Sequence, residues 1–230
     1  IHAVRRNIDL NIVLLNNKIY GLTKGQYSPT SDRGCVTKSS PYGTVEDPFI
    51  PAELVFGARG NFFARTIDVD LNITREALVA AGRHKGTSVI EVLQNCVIYN
   101  DHIHDYVTNK EFRADRTIYL RQGEKMIFGK DRNKGLMLDG LQLKAVTIGE
   151  NGVTENDILT HDAASANPAM HMMLAMMDGH TLPLALGVIR SVDAPVYDQE
   201  VKKQIESVQA RKEERSLREF LLKGETWEIE

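Results

Sequence analysis

A nearly continuous apolar run, followed at once by an amide-rich glycine loop, constrains the fold of this chain most. The run includes Ile8, Leu10, Ile12, Val13, Leu14 and Leu15. It is typical of a strand that is buried on both faces of a parallel sheet, and we expect such a strand here. Because ligands of parallel sheets bind beyond the carboxyl ends of the strands, the loop over residues 16–51 is the first candidate for a site.

Alternating helices and strands follow this loop. The pattern predicts a short helix over 52–58, a strand over 61–67 and a strand over 87–93. Between the two strands, Thr74 can cap a helix that Gly86 closes. Strands that alternate with helices indicate an α/β fold with a mostly parallel sheet and flanking helices.

The second half of the chain has a different, glycine-punctuated pattern. It predicts short strands or hairpins at 116–120, 125–128 and 141–148, a helix over 169–177, a strand over 182–192 and a charged helix over 198–223. We therefore expect a core domain over residues 1–110 and a C-terminal α+β extension over residues 111–230.

Composition excludes several kinds of partner. The 28 Lys and Arg residues against 31 Asp and Glu give a formal charge of -3, which offers no basic field for nucleic acid or an anionic membrane. No segment has the length and apolarity of a membrane span or the pattern of a secretory signal. With only Cys35 and Cys96, the chain suits the reducing cytoplasm.

The first residues do not resemble a native start. The segment 1–7 lacks an initiator Met and reads as the end of a helix, with Arg5, Arg6 and Asn7 suited to a helix C-terminus. We expect the chain to be a fragment that lacks an N-terminal segment.

The loop after the first strand carries oxygen ligands. Asn17 can supply its amide oxygen and Ile19 its backbone carbonyl to one magnesium ion, which prefers few protein oxygens beside phosphate and water. Gly21 and Gly25 permit unusual backbone angles or a close approach to a diphosphate. On local chemistry alone, an ordinary turn explains the same residues.

The motifs of this loop resemble those of a known family. The chain is similar to the thiamine-diphosphate-binding β subunit of 2-oxoacid:ferredoxin oxidoreductases, and most to its 2-oxoglutarate type. The resemblance rests on Arg5-Arg6-Asn7, Asn16-Asn17-Lys18-Ile19-Tyr20-Gly21-Leu22-Thr23-Lys24-Gly25-Gln26, Ser28-Pro29-Thr30, residues 37–41 and Glu91-Val92-Leu93-Gln94-Asn95-Cys96. It implies the thiamine diphosphate-binding fold for the core.

The resemblance implies roles for individual residues. Asn17 and Ile19 would hold Mg²⁺, while Gly21, Leu22 and Thr23 would lie against the diphosphate of thiamine diphosphate. The Gly-Asp-Gly motif of the family, with its charged metal ligand, is expected upstream of Ile1, so the fragment alone should bind the cofactor poorly.

Cys96 has two interpretations. A [4Fe-4S] cluster needs four thiolates, and from spacing alone a free buried thiol is favoured, since the sequence has no Cys-x-x-Cys pair. The resemblance implies instead that Cys96 completes a [4Fe-4S] cluster whose other ligands lie in the N-terminal region. Cys35 lies outside that pattern. His102 and His104 are expected to be surface polar groups.

Lys24 is the candidate for substrate selection. Pyruvate-type members resemble Thr-Gly-Gly-Gln where this chain has Thr23-Lys24-Gly25-Gln26, and an ammonium there would favour a second, distal carboxylate. A solvent-facing Lys is the alternative. The resemblance thus implies oxidative decarboxylation of 2-oxoglutarate with coenzyme A to succinyl-CoA and CO₂, with an α subunit completing the site and electrons passing through the cluster to ferredoxin.

Three other functions remain open at this point. The chain could serve an oxidoreductase for pyruvate or a branched-chain 2-oxoacid. A non-redox thiamine decarboxylase would use Asn17 and Ile19 without Cys96. A non-catalytic assembly subunit would keep the fold alone.

Overall fold

A five-stranded mixed sheet and a three-stranded antiparallel sheet organise the chain. The computed structural model describes residues 1–211, 216–224 and 227. The helices are α1 His2–Arg6, α2 Pro51–Gly57, α3 Leu71–Arg83, α4 Asp105–Thr108, α5 Arg113–Arg116, α6 Ala169–Ala175, α7 Tyr197–Gln209 and α8 Leu217–Leu221, with a 3₁₀ turn at Glu155–Asp157. The strands are β1 Asn11–Asn16, β2 Phe62–Ile67, β3 Ser88–Leu93, β4 Thr117–Leu120, β5 Ile127–Phe128, β6 Lys134–Asp139, β7 Gln142–Thr147 and β8 Leu184–Ser191.

The larger sheet has the strand order β1-β3-β2-β8-β4. Strand β3 is parallel to both β1 and β2, β8 is parallel to β4, and only the β2–β8 pair is antiparallel. The α/β class with a mostly parallel sheet is therefore confirmed. Since Asn16 and Ile67 both lie opposite Leu93, three strands end at the same edge of the sheet.

The core lies on both faces of the two central strands. All six residues of β2 and all six of β3 are buried, as expected for strands that are covered on both sides. On one face Phe63 packs in a cluster that includes Ile118 and Leu174, and on the other Phe62 packs with Ala77 of α3.

The expectation that β1 is buried on both faces is wrong. Val13 is 45% exposed and Leu15 is 56% exposed. The reason is position: β1 is an edge strand of the described sheet and bonds only to β3. An apolar run identifies such a strand without showing whether a neighbour covers it.

Some of the other predictions for helices and strands were confirmed, and some were wrong. Asp70, and not Thr74, caps α3, since its carboxylate accepts from the N–H groups of Asn72 and Ile73, while Thr74 lies inside the helix. Strand β6 was not predicted. The charged helix expected over 198–223 is observed as α7 and α8, and its residues 212–215 lie outside the described part of the chain.

The second half contributes to both sheets. Strands β4 and β8 extend the larger sheet, and β5, β6 and β7 form the smaller one. Among the described residues, no helix combines the length and the apolar composition that crossing a bilayer requires.

Candidate functional site

The chain leaves β1 through a tightly closed turn. The N–H of Tyr20 donates to the carbonyl of Gln26 at 2.9 Å, and the N–H of Gly25 donates to the carbonyl of Tyr20 at 2.9 Å. These bonds hold residues 20–26 as a small projecting turn at the carboxyl edge of the sheet. Lys18, just before the turn, and Lys24, within it, both have positive φ, so the backbone bends sharply at two non-glycine positions.

Asn17 and Ile19 lie together at the base of this turn. The Asn17 Oδ1 atom accepts from the N–H of Ile19 at 3.3 Å. The carbonyls of Lys18 and Tyr20 accept hydrogen bonds from Ser31 and Gly25, respectively. By contrast, no described residue donates to the carbonyl of Ile19, although the residue is only 6% exposed. The Ile19 carbonyl and the Asn17 amide oxygen thus both keep acceptor capacity for a cation.

Three consecutive backbone amides follow. Within the described chain, the N–H groups of Gly21, Leu22 and Thr23 donate no hydrogen bond, and the Leu22 side chain is 98% exposed. Adjacent free N–H groups can bind the oxygens of an anion. The residues expected to lie against a diphosphate are therefore available for it.

The two glycines of the turn have different surroundings. A Cβ atom on Gly25, whose φ is +97°, would lie 2.9 Å from the ring of Tyr99, whereas a Cβ on Gly21 would have nothing within 4 Å. Close approach at Gly25 thus serves packing against Tyr99. Open space at Gly21 leaves room for a ligand.

A buried polar network supports the end of β1, and sequence reasoning missed it. Glu91 accepts from Arg65 Nε at 2.8 Å through one carboxylate oxygen and from Asn16 Nδ2 at 2.8 Å through the other. All three residues are at most 6% exposed. Asn16 Oδ1 in turn accepts from the hydroxyl of Thr30 at 2.8 Å. The sequence signal that could have revealed this network was the presence of Arg65 and Glu91 in mostly apolar strands.

The loop over residues 95–104 packs against the same segment. Asn100 Nδ2 donates to the carbonyl of Asn17 at 2.9 Å, and His104 Nε2 donates to the carbonyl of Asn16 at 2.9 Å. The expectation of a surface His104 is wrong, because the residue is only 1% exposed and bonds to a carbonyl that is distant in sequence. Burial lowers the pKa of His104, which keeps the ring neutral. His102 is exposed, as predicted.

Cys96 lies at the start of the 95–104 loop. Its carbonyl accepts from the N–H of Asn100 at 2.9 Å, so Cys96 and Asn17 are both bonded to one residue. Cys35 and Cys96 are free and partly exposed. Across the described residues, no group of three or more His, Cys, Asp or Glu side chains is arranged to hold a metal.

Lys24 lies at the exposed tip of the turn and forms no salt bridge with the described residues. A cavity of about 460 Å³ is lined by residues of this network together with others, among them Lys18, Asp32, Arg65, Glu91, Tyr106 and His180. Neither Lys24 nor Asn17 lines it.

The chain is similar to proteins of known class. Residues 1–92 match the family described as "Thiamine pyrophosphate enzyme, C-terminal TPP binding domain". This part of the chain is similar to that domain family. The larger sheet and the turn after β1 lie mainly in the matched segment.

Relatives extend the similarity to the whole chain. The 2-oxoglutarate oxidoreductase subunit KorB of Mycobacterium tuberculosis is 38% identical over 233 residues, which cover 100% of this chain and 62% of the relative. The 2-oxoacid:ferredoxin oxidoreductase 1, subunit beta, of Aeropyrum pernix is 44% identical over 116 residues, which cover 50% of this chain and 35% of the relative. The resemblance to this type of β subunit, predicted from the sequence, is confirmed.

A solved structure supports the fold. The 2-oxoglutarate:ferredoxin oxidoreductase from Magnetococcus marinus, solved with 2-oxoglutarate, coenzyme A and succinyl-CoA bound, superposes with a TM-score of 0.63 at 24% identity. The match covers 90% of this chain and 56% of the other. The chain thus spans less than two thirds of the proteins that it resembles.

Proposed function

We propose that this chain acts as the β subunit of a 2-oxoglutarate:ferredoxin oxidoreductase and binds thiamine diphosphate and Mg²⁺ at the turn after β1. The observation that carries the proposal is that no described residue donates to the Ile19 carbonyl, while the Asn17 amide oxygen accepts only from the N–H of Ile19. The family match over residues 1–92 and the names of the relatives support it.

The donor set fits magnesium bound to a diphosphate. Mg²⁺ takes oxygen ligands in octahedral geometry and usually combines a few protein oxygens with phosphate oxygens and water. Asn17 and Ile19 supply two neutral oxygens, so the negative charge comes from the diphosphate and any further ligand. The N–H groups of Gly21, Leu22 and Thr23 would donate to the diphosphate. When bound, thiamine diphosphate supplies a ring that accepts electrons during decarboxylation of a 2-oxoacid.

Lys24 would select the substrate. Its ammonium is exposed at the tip of the same turn and lacks a carboxylate partner in the described chain, so it can pair with the distal carboxylate of 2-oxoglutarate. Pyruvate has no second carboxylate. The side chain would act by binding and orienting the substrate.

Cys96 would supply one thiolate to a [4Fe-4S] cluster. The residue fits this role because it is free, partly exposed and tied through Asn100 to the segment that would hold the metal. One thiolate is a quarter of the usual ligand set, so the remaining ligands belong to other segments of the assembly. Ferredoxin is the proposed electron acceptor.

The names of the relatives, which are those of subunits, support an assembly of several chains. An α subunit, coenzyme A and a cytoplasmic location are parts of the same proposal, as is the division into a core over residues 1–110 and an extension over residues 111–230. The Magnetococcus marinus enzyme, which holds 2-oxoglutarate, coenzyme A and succinyl-CoA, supports the choice of substrates.

Substrate-driven reduction of a viologen dye tests the proposal. The chain, purified with the subunits that accompany it, is assayed with 2-oxoglutarate, pyruvate and a branched-chain 2-oxoacid, each with and without coenzyme A. The proposal predicts coenzyme A-dependent reduction, fastest with 2-oxoglutarate. Preference for another 2-oxoacid would change the substrate assignment, CO₂ release without dye reduction would indicate a simple decarboxylase, and inactivity with all three substrates would favour an assembly subunit.

A further inference from the structure

Three contacts join the 95–104 loop to the segment over residues 16–25. Asn100 donates to the backbone of Asn17, His104 donates to the backbone of Asn16, and the ring of Tyr99 packs on Gly25. These contacts surround the residues that would hold the metal. Neither Asn100 nor Tyr99 would need to touch the metal to affect it.

Asn100 bonds both to the segment that would hold the metal and to Cys96. Its Nδ2 donates to the carbonyl of Asn17 at 2.9 Å and lies 3.3 Å from the carbonyl of Lys18. Its own N–H donates to the carbonyl of Cys96 at 2.9 Å. One residue therefore fixes the backbone of Asn17 and that of Cys96 relative to each other.

This arrangement determines which oxygens stay free. Because the carbonyls of Asn17 and Lys18 are occupied by Asn100, they point toward the 95–104 loop. Lys18 has a positive φ of 53°, so the backbone reverses direction there before Ile19. The next carbonyl, that of Ile19, receives no such bond from the described residues.

We infer that Asn100 is a positioning residue that orients the Asn17 amide and the Ile19 carbonyl for the metal. It also holds the backbone of Cys96 in a fixed position relative to them. The inference rests on the proposed function of this turn. Asn100 lies outside the turn and fixes its geometry. Without the Asn100 amide, the Asn17 carbonyl loses its donor, while the Lys18 carbonyl keeps the bond from Ser31. The peptide group between Asn17 and Lys18 is then held less firmly, which changes the orientation of the Asn17 amide and of the residues that follow.

The test compares three variants in the purified assembly. Asn100→Asp keeps the size of the side chain but removes the donor, and Asn100→Ala removes both. Asn109→Ala is the matched control, since Asn109 lies outside the 95–104 loop and, within the described residues, its side chain bonds only to the N–H of Glu111. The readouts are the dissociation constant for thiamine diphosphate with Mg²⁺ and amide hydrogen exchange over residues 17–23 without cofactor.

We expect both Asn100 variants to weaken cofactor binding by about tenfold, as for the loss of one or two hydrogen bonds, while Asn109→Ala stays within about twofold. Exchange should accelerate at residues 18–20, whose N–H groups are hydrogen-bonded, and remain unchanged in β2 and β3. Unchanged affinity and exchange in Asn100→Asp would overturn the inference, as would faster exchange throughout the central strands, which would indicate general loosening.

Asn17→Ala separates this inference from the proposed function. If Asn17→Ala loses cofactor affinity while Asn100→Asp retains it, the positioning role is wrong and the proposed site stands. If Asn17→Ala binds the cofactor as the unmodified chain does, the proposed metal site is wrong, and with it the role of Asn100 toward the metal.

Discussion

Arg65 and Glu91 form a buried ion pair across neighbouring parallel strands. Arg65 Nε lies 2.8 Å from Glu91 Oε2, and the two side chains are only 5% and 3% exposed. They lie opposite each other in the β2–β3 register. Because the second oxygen of Glu91 accepts from Asn16, the pair also fixes the residue that precedes the proposed metal site in the turn after β1.

Breaking this pair should strongly destabilise the fold. Glu91→Gln leaves the Arg65 charge buried without its counterion, and we expect a loss of about 3–5 kcal/mol in the free energy of unfolding. Urea denaturation measures it. The control is Asp139→Asn in the exposed Lys144–Asp139 pair, whose side chains are 58% and 69% exposed and whose loss should cost less than about 1 kcal/mol. Equal losses in the two variants would contradict the account.

The sequence predicted the main strands because their signal is local. Apolar runs and helix spacing located β2, β3 and β8, and the glycine loop located the turn after β1. They could not show that β1 is an edge strand or that β8 runs antiparallel to β2, because these depend on which strands become neighbours. Asp70 and Thr74 both suit a helix cap, and only the backbone decides between them.

In the candidate site, too, the sequence predicted some residues and missed others. The turn residues follow one another in sequence, so their motif was readable. Asn100 and His104 act through carbonyls more than 80 residues away, and a polar residue in a loop does not reveal such a partner. Their burial follows from the packing of the 95–104 loop against the end of β1.

Stability should fall as the pH drops below about 6.5. Burial lowers the pKa of His104 below its ordinary value of 6.5, so the unfolded chain binds the proton more readily than the folded chain. The pKa values of His84, His161 and His171 are lowered for the same reason. Protonation therefore favours unfolding, and the loss grows until the pH passes below the folded-state pKa.

His104→Gln should reduce this pH dependence. The glutamine amide can donate to the Asn16 carbonyl but does not titrate in this range. Unfolding free energies at pH 8 and pH 5 measure the effect in both proteins. An identical loss between the two pH values in the variant and the unmodified chain would contradict the assignment of a neutral, buried His104.

Lys24→Ala should change substrate preference. Loss of a charge-assisted hydrogen bond worth about 1.5–3 kcal/mol corresponds to a decrease of about 10- to 150-fold in kcat/KM for 2-oxoglutarate, with little change for pyruvate. Steady-state assays with both substrates measure it. Lys38→Ala, an exposed lysine in the same long loop, is the control. Equal losses with both substrates would rule out a role in recognising the distal carboxylate.

Cys96→Ser should separate the two proposed cofactors. We expect it to reduce the iron content and remove the electron paramagnetic resonance signal of the reduced cluster, while thiamine diphosphate still binds. Cys35→Ser should keep both. Full iron content in Cys96→Ser would contradict the proposed cluster ligand, because thiolates are the ordinary ligands of such clusters.

Calorimetric titration of Asn17→Ala with thiamine diphosphate, in the presence of Mg²⁺, tests the central claim most directly. The account predicts that affinity falls by more than about tenfold, the lower end for changes around a metal site. Asn11→Ala, at the exposed start of the same strand, should bind as the unmodified assembly does. Equal affinity in Asn17→Ala and Asn11→Ala would contradict the claim that the turn after β1 holds the metal and the diphosphate.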